Sequence, residues 1–141
     1  MKARQLNLWH NPSLDVTLRV KAALRDVLAE CPMSREAIAE RMSAVARKEG
    51  LSSNEDRTPV SPDMLDKWVS ASAATHRMPY HYLTIFCFVT DSLLPIQVML
   101  APLNASAVTG EELDLLELAK IKAQQNELTR QARVIKERLK R

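Results

Sequence analysis

Glycine is almost missing from this 141-residue chain; Gly50 and Gly110 are the two it has. Neither stands in a motif that cradles a phosphate, so a nucleotide loop of the glycine-rich kind is excluded. Phe, Trp and Tyr together make up 4% of the residues, and alternation of β-branched with polar residues is rare. The scarcity of glycine together with that of β-branched alternation argues against sheets and for helices. Cysteine is limited to Cys31 and Cys87, far apart in sequence and both in apolar surroundings. Two thiols build neither a zinc cluster nor a disulfide framework, so reduced, partly buried thiols are expected. His10, His76 and His81 have no cysteine or carboxylate at ligand spacing, and no metal or cofactor is expected. No apolar run reaches the roughly 20 residues that span a bilayer, the longest candidate being Tyr80 to Val89. Met1-Lys2-Ala3-Arg4-Gln5 leads into polar residues, which predicts a cytoplasmic protein without a signal peptide or membrane partner. Nothing marks an activated nucleophile, so neither an enzyme nor a small-molecule substrate is expected.

What the chain does have is helical period and an uneven charge. The formal net charge of +3 is modest, but its distribution is not. Between Leu128 and Arg141 lie Arg130, Arg133, Lys136, Arg138, Lys140 and Arg141 against Glu137 alone, whereas residues 61–110 hold only Lys67 and Arg77. Such a basic end suits either the solvated terminus of a coiled coil or salt-dependent attraction to phosphates.

Helix starts and stops can be placed along the chain. After an arm over residues 1–13, Ser13 or Asp15 can cap a first helix whose stripe is Val20, Ala23, Leu24, Val27 and Cys31, closed by Pro32. Ser34 caps a second, with Glu36 suited to the dipole of its first turn and Ile38, Met42, Val45 and Ala46 on its apolar face; Gly50 ends it. Ser61-Pro62-Asp63 is the strongest start signal, and Leu65, Trp68 and Val69 face inward behind it. A fourth helix is predicted from about Pro79 to Val89, with Leu83, Phe86, Cys87 and Val89 available for the core and Tyr80, Tyr82 and Phe88 mostly packed with them. A fifth is predicted from Asp91 or Ser92 to Pro102, with Pro95 tolerated in its first turn. Thr109 and Glu112 form a capping box, with Val108 and Leu113 as its hydrophobic staple, ahead of a long final helix. Leu118, Ile121, Leu128, Ala132, Ile135 and Leu139 fit a heptad seam with Gln125 as its polar member, which predicts homo-oligomerisation.

The order of these elements resembles the lambda-repressor-like (Xre-type) helix-turn-helix family, and more narrowly the small regulators of Mu-like transposable phages and prophages. The resemblance rests on Met33-Ser34-Arg35-Glu36-Ala37-Ile38-Ala39-Glu40-Arg41-Met42, on Val60 through Trp68, and on His76-Arg77-Met78-Pro79-Tyr80. It covers roughly Leu18 to Leu103. It implies an all-α fold, a five-helix bundle over residues 14–104 followed by a coiled-coil helix over 105–141. In that family an alanine at the Ala39 position lets the second and third helices approach closely, and a turn of three or four residues joins them. Here Ser43 to Pro59 intervenes, so the second helix is longer or the connection enlarged.

The resemblance implies a sequence-specific, double-stranded-DNA-binding transcriptional regulator acting as an oligomer. The N-terminus of the second helix, with Ser34 and Arg35, suits a phosphate. Ser61, Asp63, Asp66, Lys67 and Ser70 project from the third helix where base edges are read, flanked by Arg57 and Arg77. Trp68 reads as a core anchor rather than a base-stacking residue. Arg77 reads equally as closing a helix end or pairing with Asp66 or Asp63. Two rivals remain: a protein-interaction adaptor on the same scaffold, favoured by the two aspartates and the enlarged connection, and a nonspecific architectural DNA-binding protein acting through the basic end.

Overall fold

The computed structural model describes residues 13–51 and 58–141. All regular structure among them is helical, with α1 at Thr17–Glu30, α2 at Arg35–Lys48, α3 at Pro62–Val69, α4 at Tyr80–Thr90, α5 at Leu94–Leu100 and α6 at Gly110–Leu139. A 3₁₀ turn, Ala101–Leu103, extends α5. The chain divides into two compact units between Ala107 and Val108, the first holding α1 to α5 and the second α6. The arm expected over residues 1–13 lies outside the described residues except for Ser13.

α2 and α3 start on serine caps, whereas the cap position of α1 is Val16, which makes no side-chain cap, and neither Ser13 nor Asp15 occupies it. The Asp15 carboxylate accepts from the Thr17 N–H at 3.1 Å and the Thr17 hydroxyl at 2.6 Å, and these bonds hold it below the usual carboxylate range. Ser34 Oγ accepts from the Ala37 N–H at 3.1 Å, and Ser61 Oγ from the Met64 N–H at 3.2 Å, with Pro62 in the first turn of α3. Gly50, at φ +70°, ends α2 in a Schellman motif. There the Leu51 N–H reaches the Ala46 carbonyl at 2.9 Å and the Gly50 N–H the Arg47 carbonyl at 3.1 Å.

Packing of the first unit is built on the predicted stripes. Leu24, Ile38, Ala39, Met42, Ala46, Val60, Leu65 and Phe86 are essentially sealed from solvent, and Trp68 and Val69 close the core beside them. Trp68 stacks on Tyr82 with ring centroids 5.7 Å apart, the geometry of a packed aromatic pair. α3 lies against both α1 and α2, α4 against α2, and α5 against α1. Cys31 and Cys87 are free thiols, and burial pushes the Cys87 thiol up from its ordinary range.

Four further local expectations need correction. Tyr80 and Phe88 are 84% and 75% exposed rather than packed, because α4 is largely apolar around its circumference: Leu83, Ile85, Phe86 and Cys87 are buried, and Tyr82 and Val89 pack at the core's edge. Asp91 does not start α5; it takes a left-handed conformation that ends α4, and Ser92 Oγ receives the Leu94 N–H at 3.3 Å one step later. Pro102 does not close α5 but sits within the 3₁₀ turn, and left-handed Asn104 ends it. Thr109 makes no side-chain cap to α6. Gly110 enters that helix at φ +47°, and the Glu112 N–H goes to the Thr109 carbonyl at 3.0 Å instead of the hydroxyl.

Candidate nucleic-acid interface

The face named from sequence is formed by α2 and α3, which pack against each other. Ala39 is 2% exposed, on the side of α2 that packs the core. Both helices begin with a serine cap, so each presents first-turn N–H groups that no intrahelical acceptor serves. Asp63, Asp66 and Lys67 are exposed on α3, with Ser61 and Ser70 half-buried at its two ends. Ser34 and Arg35 are exposed at the start of α2.

Arg35 and Asp66 form an ion pair between the two helices, both side chains about half exposed. The pairing of Arg77 with Asp66 or Asp63 expected from sequence is absent among the described residues, and Asp66 is held by Arg35. This pair joins the start of α2 to the middle of α3, and at that exposure its contribution to stability is small. Its main effect is on charge, since it cancels the aspartate nearest the α2 N-terminus. Lys67 and Arg77 make no ion pair with any described residue. Arg77 is exposed past the C-terminal end of α3, where it lines a largely apolar cavity of about 170 Å³ with Val20, Leu24, Trp68, Met78 and Leu83. Arg57 lies outside the described residues.

Two polar residues that sequence reasoning passed over hold this face in place. Lys21 is 2% exposed, and its ammonium donates to the carbonyls of Lys67 at 3.1 Å, Trp68 at 2.9 Å and His76 at 2.6 Å. It thereby caps the C-terminal end of α3, whose carbonyl dipoles favour a cation, and ties the following turns to α1. Burial, and then the nearby Arg77 charge, hold its pKa below the ordinary lysine value. Ser43, also 2% exposed, clasps Val60 from both sides: its hydroxyl accepts from the Val60 N–H at 3.1 Å and donates to the Val60 carbonyl at 2.9 Å. The residue that introduces α3 is thus fastened to the middle of α2. The long interval between the helices therefore consists of an extended α2 and a connection that returns to it. A signal for both was present: Lys21 shares a face with Leu24 and Leu28, and Ser43 with Ala39, Met42 and Ala46, at helical spacing among apolar residues.

The second unit is described by itself. α6 has 30 residues, none of them buried. Leu118, Ile121, Leu128, Ile135 and Leu139 are 45–80% exposed, and Gln125 and Ala132 are exposed with them. Glu127 receives Arg130 at 2.8 Å and Gln131 at 3.1 Å along its surface, bonds that lower its pKa and raise that of Arg130. Among the described residues no helix is long and apolar enough to cross a membrane, and no group of His, Cys, Asp or Glu is gathered to hold a metal ion. Comparison with family models, curated proteins and solved structures gives no match to this chain.

Proposed function

We propose that the chain is a sequence-specific DNA-binding transcriptional regulator of the phage or prophage type, with a lambda-repressor-like helix-turn-helix bundle in its first unit and an oligomerising helix in its second. The observation that carries this reading is the pairing of α2 and α3. Two serine-capped helices pack together, Lys21 and Ser43 fix the shorter one from behind, and its Asp63–Asp66–Lys67 side is left facing outward. An eight-residue helix held that firmly at its C-terminal end, with a polar outer face, suits insertion into a major groove. Function would then be occupancy of an operator, without chemistry. Phosphates would meet the α2 N-terminus near Ser34 and Arg35, and Lys67 and Ser70 would face base edges or backbone. Two heads on an oligomer would address half-sites spaced by about 34 Å or a multiple of it.

The adaptor reading has one specific observation in its favour: Arg35 is engaged with Asp66, and Asp63 on the same face makes no ion pair with any described residue. Titration of the full chain against random and selected duplex pools at two salt concentrations separates the two. The regulator reading expects binding at low salt, enrichment of a defined sequence, and loss of affinity in Lys67→Ala. Removal of one phosphate contact should lower the salt slope by about one. No binding to any duplex at low salt refutes it in favour of the adaptor. Binding that survives Lys67→Ala unchanged but is abolished when residues 130–141 are removed establishes the architectural role instead.

A further inference from the structure

α6 carries an exposed seam and a charge order that together fix more than the existence of a partner. Its first half holds Glu111, Glu112, Asp114 and Glu117 against Lys120 and Lys122; its second half holds Arg130, Arg133, Lys136 and Arg138 against Glu127 and Glu137. Pairing two copies in parallel sets acidic half beside acidic half and basic beside basic. It also continues the seam upward into Asp114 and Glu111, each of which would face its own copy.

We propose that α6 pairs with α6 of a second copy of the chain as a two-stranded antiparallel coiled coil. The inference rests on the oligomeric part of the reading above and adds its geometry. The best antiparallel register sets Leu118 against Ile135 of the second copy and Ile121 against Ala132, so a large residue meets a small one in the second layer. Gln125 meets Leu128 on each side of the axis, and Asp114 falls at the end of the pair, opposite Leu139. In this register Glu117 flanks the seam opposite Arg138 of the second copy, twice by symmetry, and Leu115 lies along the stem of Lys136. Acidic halves meet basic halves along the whole length, and the two helix dipoles oppose. The two Gly110 residues then stand at opposite ends of the pair, about 50 Å apart at 1.5 Å per residue.

A charge-swap cycle on the full chain, read by sedimentation at low salt, tests the orientation. Glu117→Arg should weaken dimerisation about tenfold, and adding Arg138→Glu should restore it, because the exchanged pair re-forms across the antiparallel interface. In a parallel pair Glu117 faces Lys122, and Arg138→Glu rescues nothing. A spin label at Glu112→Cys, with Cys31→Ser and Cys87→Ala removing the other thiols, should give a label-to-label distance of about 45 Å. A dimer with a distance under about 20 Å, or a dimer without rescue, overturns the antiparallel arrangement and leaves the oligomer standing. A wild-type chain that sediments as a monomer overturns both, and one that forms trimers or tetramers overturns the two-stranded pair.

Discussion

Replacing Lys21 by Met keeps most of the side chain's apolar stem and removes the ammonium that three carbonyls share. Of these, the Trp68 carbonyl is buried and the Lys67 and His76 carbonyls are partly reached by solvent. A buried acceptor left without a donor costs about 1–3 kcal/mol, and the two half-accessible ones about 0.5–1 kcal/mol each, since water can serve them. Against this stands relief from holding a charge out of water, which the lowered lysine pKa registers. A net loss of about 2–3 kcal/mol is expected. For a bundle of roughly 100 residues that is a fall in Tm of about 10–15 °C, measurable by thermal and urea unfolding followed by circular dichroism. The pH dependence has a fixed sign. Because the folded-state pKa is lowered, the unfolded chain binds the proton more tightly between the two pKa values. Wild type therefore gains stability relative to Lys21→Met as pH rises through the folded value toward about 10.4. A loss under about 0.5 kcal/mol at neutral pH would show that the ammonium does not hold the end of α3, whereas a wild-type advantage that shrinks as pH rises would show that the carbonyls outweigh burial and raise the folded-state pKa.

Other substitutions probe the same architecture. Ser43→Ala leaves the Val60 N–H and carbonyl without their partner in a sealed site and should cost about 1–3 kcal/mol in urea unfolding, whereas Ser106→Ala, at an exposed position, serves as the control and should be near neutral. Ala39→Leu forces three extra carbons into the sealed core beside α2 and should destabilise by about 1–3 kcal/mol, with a larger loss of DNA affinity than of fold if α2 and α3 are pushed apart. Leu128→Glu should disperse the oligomer in sedimentation and weaken operator binding steeply while the circular dichroism of the first unit stays intact; unchanged sedimentation refutes the seam.

Legibility from sequence followed how local the determinants are. Ser34, Ser61 with Pro62, and Gly50 act on their own turns, so their roles could be read from neighbours a few residues away. Trp68 and the stripe of α1 were equally plain, because burial there follows helical spacing. Lys21 was not, since the carbonyls it serves lie 46 to 55 residues away and converge only when α3 closes on α1. Ser43 depends in the same way on Val60, 17 residues on. α4 defeated the period for the opposite reason: with Tyr80, Leu83, Phe86 and Phe88 spread around it, apolarity alone names no inner face. At the candidate interface, the membership of α3 was read residue by residue, while the pairing of Arg35 with Asp66 required the fold.

The clasp of Ser43 on Val60 also separates two properties that usually constrain one another. The start of α3 is placed by a contact between two described residues, and the length of chain that joins them enters as the entropy of closing the loop. Doubling such a span costs only about 0.6 kcal/mol.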